Sequence, residues 1–477
     1  MKRTIVSYIT VTCCILMAGC HKTFLEEKPL RNLQVPQSIA DFQAIMDFDF
    51  GPADYSAHTL ANNGADEYVI SEKKWAALGN ESQYLRQIYV WSQKIDMLPY
   101  ESIEDWNRSY MYIFYANQAL YGLESLKPQP QEQDAWNNVK GTALFFRAYR
   151  YYHLAQQYAF PYVKATDNPN GLPLRLEPDV TIAVSRSSVH TTYKRILDDA
   201  LASIDLLPAE TKRTNHIRPG KAAALALVAK LYLLMEEYEK AAEYADLCLQ
   251  LRPQLIDFNT LDAGNPANRY EYAFTSDYGA TNPEMLYYAI GDNGWSTSLF
   301  SSFGDWAAFN PALLNLYEAG DIRSQVYFRP YFDMDNLRYL VFKGSYAAYG
   351  IFTGMATDEI YLLRAECNAR VNKTGKALDD LNLLLKNRIA ASVFTPVTES
   401  DPEKLLRIIF RERRKELVFR GLRWEDLRRL NKEPRFAETL VREIGGQRYE
   451  LPPNDQRYTW PIPVSEIDAA FLPQNPR

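Results

Sequence analysis

Two pairs of alanines, each pair twelve residues apart, constrain this chain more than any other feature. In "GKAAALALVAKLYLLMEEYEKAAEYADLCLQLRP" (220–253), Ala229, Ala241 and Pro253 follow at intervals of twelve, with Tyr232 three after the first alanine. Twelve residues suffice to finish one helix, turn and begin a second running back, so the small side chains meet where the helices cross. Pro253 then stops the second helix, because its ring blocks the backbone donor. In "IYLLRAECNARVNKTGKALDDLNLLLKNR" (360–388), Ala365 and Ala377 are again twelve apart, with Gly375 near the turn. Unrelated helical hairpins also need small residues at their crossings, but the shared spacing favours true repetition.

This spacing resembles a tetratricopeptide repeat, a stack of helix pairs. Helical periodicity also predicts helices over 106–126, with Tyr110, Ile113, Phe114, Asn117 and Leu120 on one face, and over 134–158, with Leu144, Phe145, Ala148, Tyr152 and Ala155. Further helices are expected over 188–207, 219–250, 356–370, 374–388 and 402–419. At 477 residues the chain is too long for one growing core, so two domains or an extended repeat architecture are expected. The repeats are not contiguous, which excludes a simple solenoid. Between them, 254–355 is rich in Gly, Pro, Asn, Asp and aromatics, and "PEMLYYAI" (283–290) is its best strand candidate. A second irregular stretch, 47–105, holds "NNGADEYVI". The fold expected is mostly α: a helix-pair scaffold with long irregular excursions and few short strands. Long irregular segments on such a scaffold are usually functional.

The first twenty residues give the compartment. Lys2 and Arg3 precede an apolar run from Ile5 to Met17, too short to span a bilayer, which ends in "LMAGC" at 16–20. Small residues before a cysteine resemble a lipobox, which implies a signal peptide over 1–19 and a lipid-modified Cys20. An ordinary secretory signal with a nearby cysteine explains the same residues less completely. Cys13 and Cys14 would leave with the signal. Cys248 and Cys367 sit in helical apolar patterns and read as two buried free thiols, without a disulfide framework. No later stretch is apolar enough to span a bilayer, so the reading is anchored rather than embedded.

The run "RERRKELVFRGLRWEDLRRL" (411–430) holds eight Arg or Lys against four Asp or Glu. In a chain of net charge −6 this is a local feature, not a nucleic-acid footprint. Glu416–Arg420 and Glu425–Arg429 stand at i,i+4 with the acid first. Leu417, Val418, Phe419, Leu422, Trp424, Leu427 and Leu430 give an apolar face, and Gly421 suits a break between two helices. The run therefore reads as structural. Chemistry is poorly supported: the five histidines (21, 58, 153, 190, 216) show no metal-ligand spacing, and no nucleophile elbow or P-loop occurs. Asp66–Glu67 is an adjacent acidic pair of a common kind, and His153 reads as packing within an aromatic helix. "FDMDNL" (332–337) lacks the glycine and glutamate of a calcium loop. No cofactor or metal is expected.

Together these segments resemble the SusD/RagB outer-membrane lipoproteins of the Bacteroidetes. The family's C-terminal motif is matched by Glu412, Arg413, Arg414, Glu416, Leu417, Gly421, Arg423, Trp424, Asp426, Leu427 and Arg429, with Arg420 where a glutamate is usual. Glu359, Tyr361, Leu362, Ala365 and Glu366 match a second segment. "WNRSYMYIFYANQAL", "ALFFRAYRYYHLAQQYAFPYV" and "WPIPVSEIDAAFLPQNPR" resemble three more, in the family's order. The resemblance implies four tetratricopeptide-like helix pairs, divided as an N-terminal region 20–253 and a C-terminal region 254–477. It also implies a cell-surface lipoprotein that captures a glycan, or in some members a peptide, and caps a SusC-like TonB-dependent transporter without cleaving bonds.

A chain with 33 Tyr, 22 Phe and 8 Trp has aromatics to spare for platforms on which sugar rings stack. The ligand surface is expected on the two irregular stretches, with Trp75, Tyr84 and Trp91 from the first and Tyr278, Trp295, Phe303 and Trp306 from the second. Core packing is the ordinary role for each taken singly. Two other classes of function fit less well. A periplasm-facing repeat scaffold would not need the excursions, and a surface hydrolase would need turnover. The ligand's identity is not written in these motifs.

Overall fold

The computed structural model describes residues 36–47, 54–56, 59–79, 83–96, 104–210, 218–261, 282–291, 308–332, 338–342, 346 and 351–477. Cys20 therefore lies outside the described residues, as do Tyr278, Trp295, Phe303 and Trp306.

Small residues let the helices approach closely. The scaffold begins with α1 (Ile39–Met46), whose N-cap Ser38 and Asp41 form a reciprocal capping box. Three short helices follow: α2 (Thr59–Gly64), α3 (Glu72–Ala77) and α4 (Gln83–Tyr89). The stretch 47–105 is thus less irregular than its sequence suggests, because helices of six or seven residues are too short to display a period. Long helices come next: α5 (Glu104–Glu124), α6 (Gln133–Tyr158), α7 (Val189–Ile204), α8 (Lys221–Leu234) and α9 (Tyr238–Leu251). Each packs against its successor. On α5 the buried face is Tyr112, Ile113, Ala116 and Ala119, while Tyr110 and Phe114 are half-buried. From Val139 onward α6 is buried almost all round, as a central helix must be.

In the pair α8–α9, Ala229, Ala241 and Ala245 are fully buried. The turn passes through Glu236 at φ +63, and the Glu237 N–H returns to the Tyr232 carbonyl. After α10 (Pro311–Leu314) and α11 (Arg323–Tyr327) come α12 (Thr357–Arg370), α13 (Thr374–Lys386), α14 (Pro402–Glu416), α15 (Leu422–Leu430) and α16 (Val464–Ala470). α12 packs directly on α9, so the helix pairs stack in space although about a hundred residues of chain separate them. Cys248 and Cys367 are buried and free, and the Cys248 thiol donates to the Ala222 carbonyl.

Strands are short and paired in twos. β1 (Asp54–Ser56) runs parallel to β4 (Ala289–Gly291), and β2 (Tyr68–Val69) antiparallel to β5 (Ala308–Phe309). β3 (Met285–Tyr287) pairs with β8 (Met355–Ala356), and β6 (Phe328–Phe332) with β7 (Arg338–Phe342). β9 (Leu440–Ile444) and β10 (Gln447–Leu451) form a hairpin turning through Gly445 and Gly446, at φ +62 and +69. The strand expected at 283–290 is thus two consecutive strands, β3 and β4. Among the described residues no helix is long and apolar enough to cross a membrane.

The basic run is built into the fold, as its apolar face implies. Gly421, at φ +76, breaks the chain between α14 and α15. Trp424 stacks on Trp460 with centroids 5.1 Å apart. Gly64 lies against both rings: a Cβ there would fall 2.6 Å from Trp460 and 2.9 Å from Trp424. The cations have partners, but the expected i,i+4 pairs do not form. Arg420 pairs with Asp358 at 2.7 Å, and Glu416 takes Arg388 at 2.7 Å and Arg323 at 3.1 Å. Arg429 joins Glu366 and Asp426, and Glu425 accepts from the Tyr152 hydroxyl. At Arg420 and Glu425 a partner from another element displaces the neighbour four residues away.

Two arginines finish helices built from distant sequence. Arg428 donates to the carbonyls of Ala155, Gln156 and Ala159 at the end of α6. Arg442 donates to those of Tyr89, Asn63 and Ala65, which end α4 and α2. Terminal carbonyls lack intrahelical donors, so a guanidinium satisfies them and opposes the negative end of the dipole. Burial lowers the Arg428 pKa to about 10, against the opposing pull of Tyr193 and Glu425.

Candidate functional site

The two strand pairs β1–β4 and β2–β5 each join the first irregular stretch to the second. Val69, six residues before Trp75, pairs with Ala308, two residues after Trp306. Asn310 strengthens the joint: its side-chain amide donates to the Asp66 carbonyl at 2.7 Å and its backbone N–H to that of Glu67 at 3.0 Å. Sequence distant by more than two hundred residues is thereby brought together.

Six residues beyond this joint, Trp75 is half-buried. Its ring lies 5.7 Å from that of Tyr89, and the Arg86 guanidinium sits 5.8 Å from the indole centroid. The β9–β10 turn closes over it, with the Gly445 N–H donating to the Glu72 carboxylate at 2.9 and 3.0 Å. A Cβ on Gly445 would lie 3.2 Å from the indole nitrogen, at a φ side chains avoid. The result is an indole held rigidly between a helix and a di-glycine turn, with a cation beside it. Nothing in the sequence linked Glu72, Arg86 and Gly445 to Trp75, because the turn comes from 370 residues downstream.

Tyr84 and Trp91 do not join this surface. Tyr84 is buried, and Trp91 is fully buried, its indole N–H donating to the Gly64 carbonyl at 2.8 Å and the Arg442 guanidinium 4.5 Å from its ring. Their rings fill the core between the short helices, so they present no face to a ligand.

The acidic pair is structural as well. Asp66 bridges Arg414 at 2.5 Å and Arg423 at 2.7 Å. Burial opposes its ionisation, but these two cations hold its carboxyl well below the usual range. Glu67, enclosed and accepting from the Phe419 N–H at 3.1 Å, is pushed up to about 8 by burial and by its charged neighbour Asp66. Opposed pKa values can mark an acid–base pair, yet neither carboxyl faces an open site here. His153 is buried, its ring 4.2 Å from that of Tyr149. Among the described residues no group of three or more His, Cys, Asp or Glu could hold a metal.

Comparison with known proteins gives a consistent result. Residues 23–233 match a family profile described as SusD-like, starch-binding associating with outer membrane, and residues 357–476 match the SusD family. The chain is 26% identical over 431 residues to "SusD-like protein P2" of Formosa agariphila, covering 78% of this chain and 79% of that one. Among solved structures it resembles a SusD superfamily protein of Bacteroides thetaiotaomicron, with TM-score 0.72 and 21% identity, covering 92% of this chain and 100% of that one. It also resembles a SusD-like carbohydrate binding protein of Bacteroides vulgatus, with TM-score 0.68 and 20% identity, covering 91% and 97%. At such identities the structural likeness establishes the fold.

Proposed function

The chain belongs to the SusD/RagB family, and from that premise we propose that it is a non-catalytic, outer-membrane nutrient-binding lipoprotein. In this reading it is anchored through Cys20, faces the cell exterior, captures an oligosaccharide and caps a SusC-like TonB-dependent transporter. The observation that carries the binding surface is the double strand junction that joins the two excursions, with half-buried Trp75 six residues along the chain from one of its strands. The carbohydrate-binding description of the Bacteroides vulgatus protein supports the ligand class.

The physics suits a sugar. The apolar C–H face of a pyranose stacks on an indole, while hydroxyls bond to side chains such as Arg86. Because Tyr89, Glu72 and the Gly445 turn already fix the platform, little rotamer entropy is lost on binding. Trp295 and Trp306, on the same excursion as the strands β4 and β5, are proposed to extend it.

Calorimetry of the protein beginning after Cys20, against oligosaccharides and a peptide mixture, tests this. Saturable binding of one glycan class is expected, weakened about tenfold by Trp75→Ala, equivalent to about 1.4 kcal/mol. Binding of peptides alone would place the protein in the peptide-binding branch of the family. Unchanged affinity after combined Trp75, Trp295 and Trp306 replacement would remove this surface from consideration. Transporter pairing is tested by whether a TonB-dependent barrel co-purifies with the anchored protein from outer membranes.

A further inference from the structure

A cleft of about 710 Å³ lies at the turn ends of the helix pairs α8–α9 and α12–α13, closed on its other side by α14 and the end of α15. It shares no residue with the Trp75 surface. Past Val163, Lys432 and Asn454 it continues into a side pocket of about 230 Å³.

The charges lining this cleft are already paired. Arg370 bridges Glu433 at 2.7 Å, and Arg435 bridges Glu433 at 2.8 Å and Glu403 at 3.4 Å. Arg429 bonds Glu366, and Lys432 bonds Glu236. Little net field remains to attract a polyanion or a polycation. What stays open is amide. The side chains of Asn372 and Gln456 make no hydrogen bond to another described residue, and Asn454 donates to the Asn431 carbonyl at 2.8 Å while its own side-chain oxygen faces no described donor. Each amide offers both donors and an acceptor. Half-buried Tyr238 and Phe160 and exposed Val163 add apolar surface.

The backbone carries a second sign. Glu236, Asn372 and Asn454 stand at φ +63, +60 and +59, the left-handed region where glycine is the unstrained choice. Three turns converging on one cleft have each kept a polar side chain at such a position.

We propose that this cleft is a second saccharide site, independent of the Trp75 surface, for a neutral oligosaccharide. Open amides match hydroxyls, which both donate and accept, and the apolar walls match ring faces. The internally paired charges leave nothing for the carboxylate of a uronic acid or the termini of a peptide.

The experiment is hydrogen–deuterium exchange on the protein beginning after Cys20, with maltohexaose, cellohexaose, xylohexaose or mannohexaose at millimolar concentration. A uronic-acid hexasaccharide and a peptide mixture serve as contrasts. At least one neutral hexasaccharide is expected to protect 369–373 and 452–459. That protection should persist in Trp75→Ala and weaken about tenfold in affinity in Asn372→Gly/Gln456→Ala. Glycine keeps the turn at 372, and an unchanged unfolding temperature would confirm that the double variant is folded. Asn454→Gly provides a further folded variant with the same expected direction. Absence of protection with every neutral sugar, protection indifferent to the amide variants, or protection only by the acidic sugar or peptides would each overturn the proposal. Trp75-dependent binding without cleft protection would leave the earlier reading standing and remove this one alone.

Discussion

The helix pair α8–α9 and the joint between α14 and the second excursion are both buried, yet they are held by opposite means. The pair rests on an alanine seam, where contact is apolar and without direction. The joint rests on charge. Arg388 lies fully buried between Glu284 at 2.8 Å and Glu416 at 2.7 Å, and Arg323 lies among Asp321, Glu412 and Glu416. Lys415 joins Asp321 at 2.8 Å, and the Tyr346 hydroxyl reaches Glu284. A regular helix can dock through a periodic stripe. A segment without a period has no stripe, and directional ion pairs fix its position instead. The difference teaches that directional pairs fasten the described part of the second excursion, where no apolar stripe could.

Breaking the charged joint should have the largest effect. Arg388→Met leaves two buried carboxylates facing each other, and a loss of about 3–5 kcal/mol is expected in urea unfolding. A loss below about 1 kcal/mol would mean that the network is incidental.

Titration sharpens the same contrast. Glu67 is raised to about 8 from an ordinary 4.5. Below 4.5 its carboxyl is protonated whether the chain is folded or not. Between 4.5 and about 8 the unfolded chain releases the proton first, so stability falls with rising pH, by up to roughly 1.4 kcal/mol per unit. Glu67→Gln keeps an acceptor for the Phe419 N–H and should flatten that slope, making the variant the more stable protein at pH 8. Parallel wild-type and variant profiles would refute it.

The alanine seam should respond less. Ala229→Leu overfills the crossing, with about 1–3 kcal/mol lost and no new pH dependence. The smallest change is expected at the solvent face of α7, where Lys194 meets Asp198 at 2.7 Å with both side chains exposed. Lys194→Ala should alter stability by about 0.3–0.5 kcal/mol, fading with added salt.

What could be read from the sequence follows the same division. Ala229 and Ala241 announce their helices because the contact they serve repeats within one hairpin. Gly421 announces the break between α14 and α15 because only backbone conformation is at stake. Trp91 gave no such signal. Its burial depends on a carbonyl at Gly64 and a guanidinium at Arg442, one 27 residues away and the other more than three hundred. Arg420 misled for a related reason: a local partner stood at the right spacing, but Asp358 from α12 took it. Trp75 was expected on the ligand surface and is half-buried, while the Gly445 turn that frames it could be found only in three dimensions. The cleft residues Asn372, Asn454 and Gln456 come from two separate turns, and no motif joins them.

The two capping arginines carry a consequence for how the chain is made. The carbonyls ending α2, α4 and α6 are satisfied by Arg428 and Arg442, which leave the ribosome well over two hundred residues after those helices. A nascent chain lacking them holds its central helix with an unfinished end. Completion of the N-terminal half therefore waits on the last part of the polypeptide.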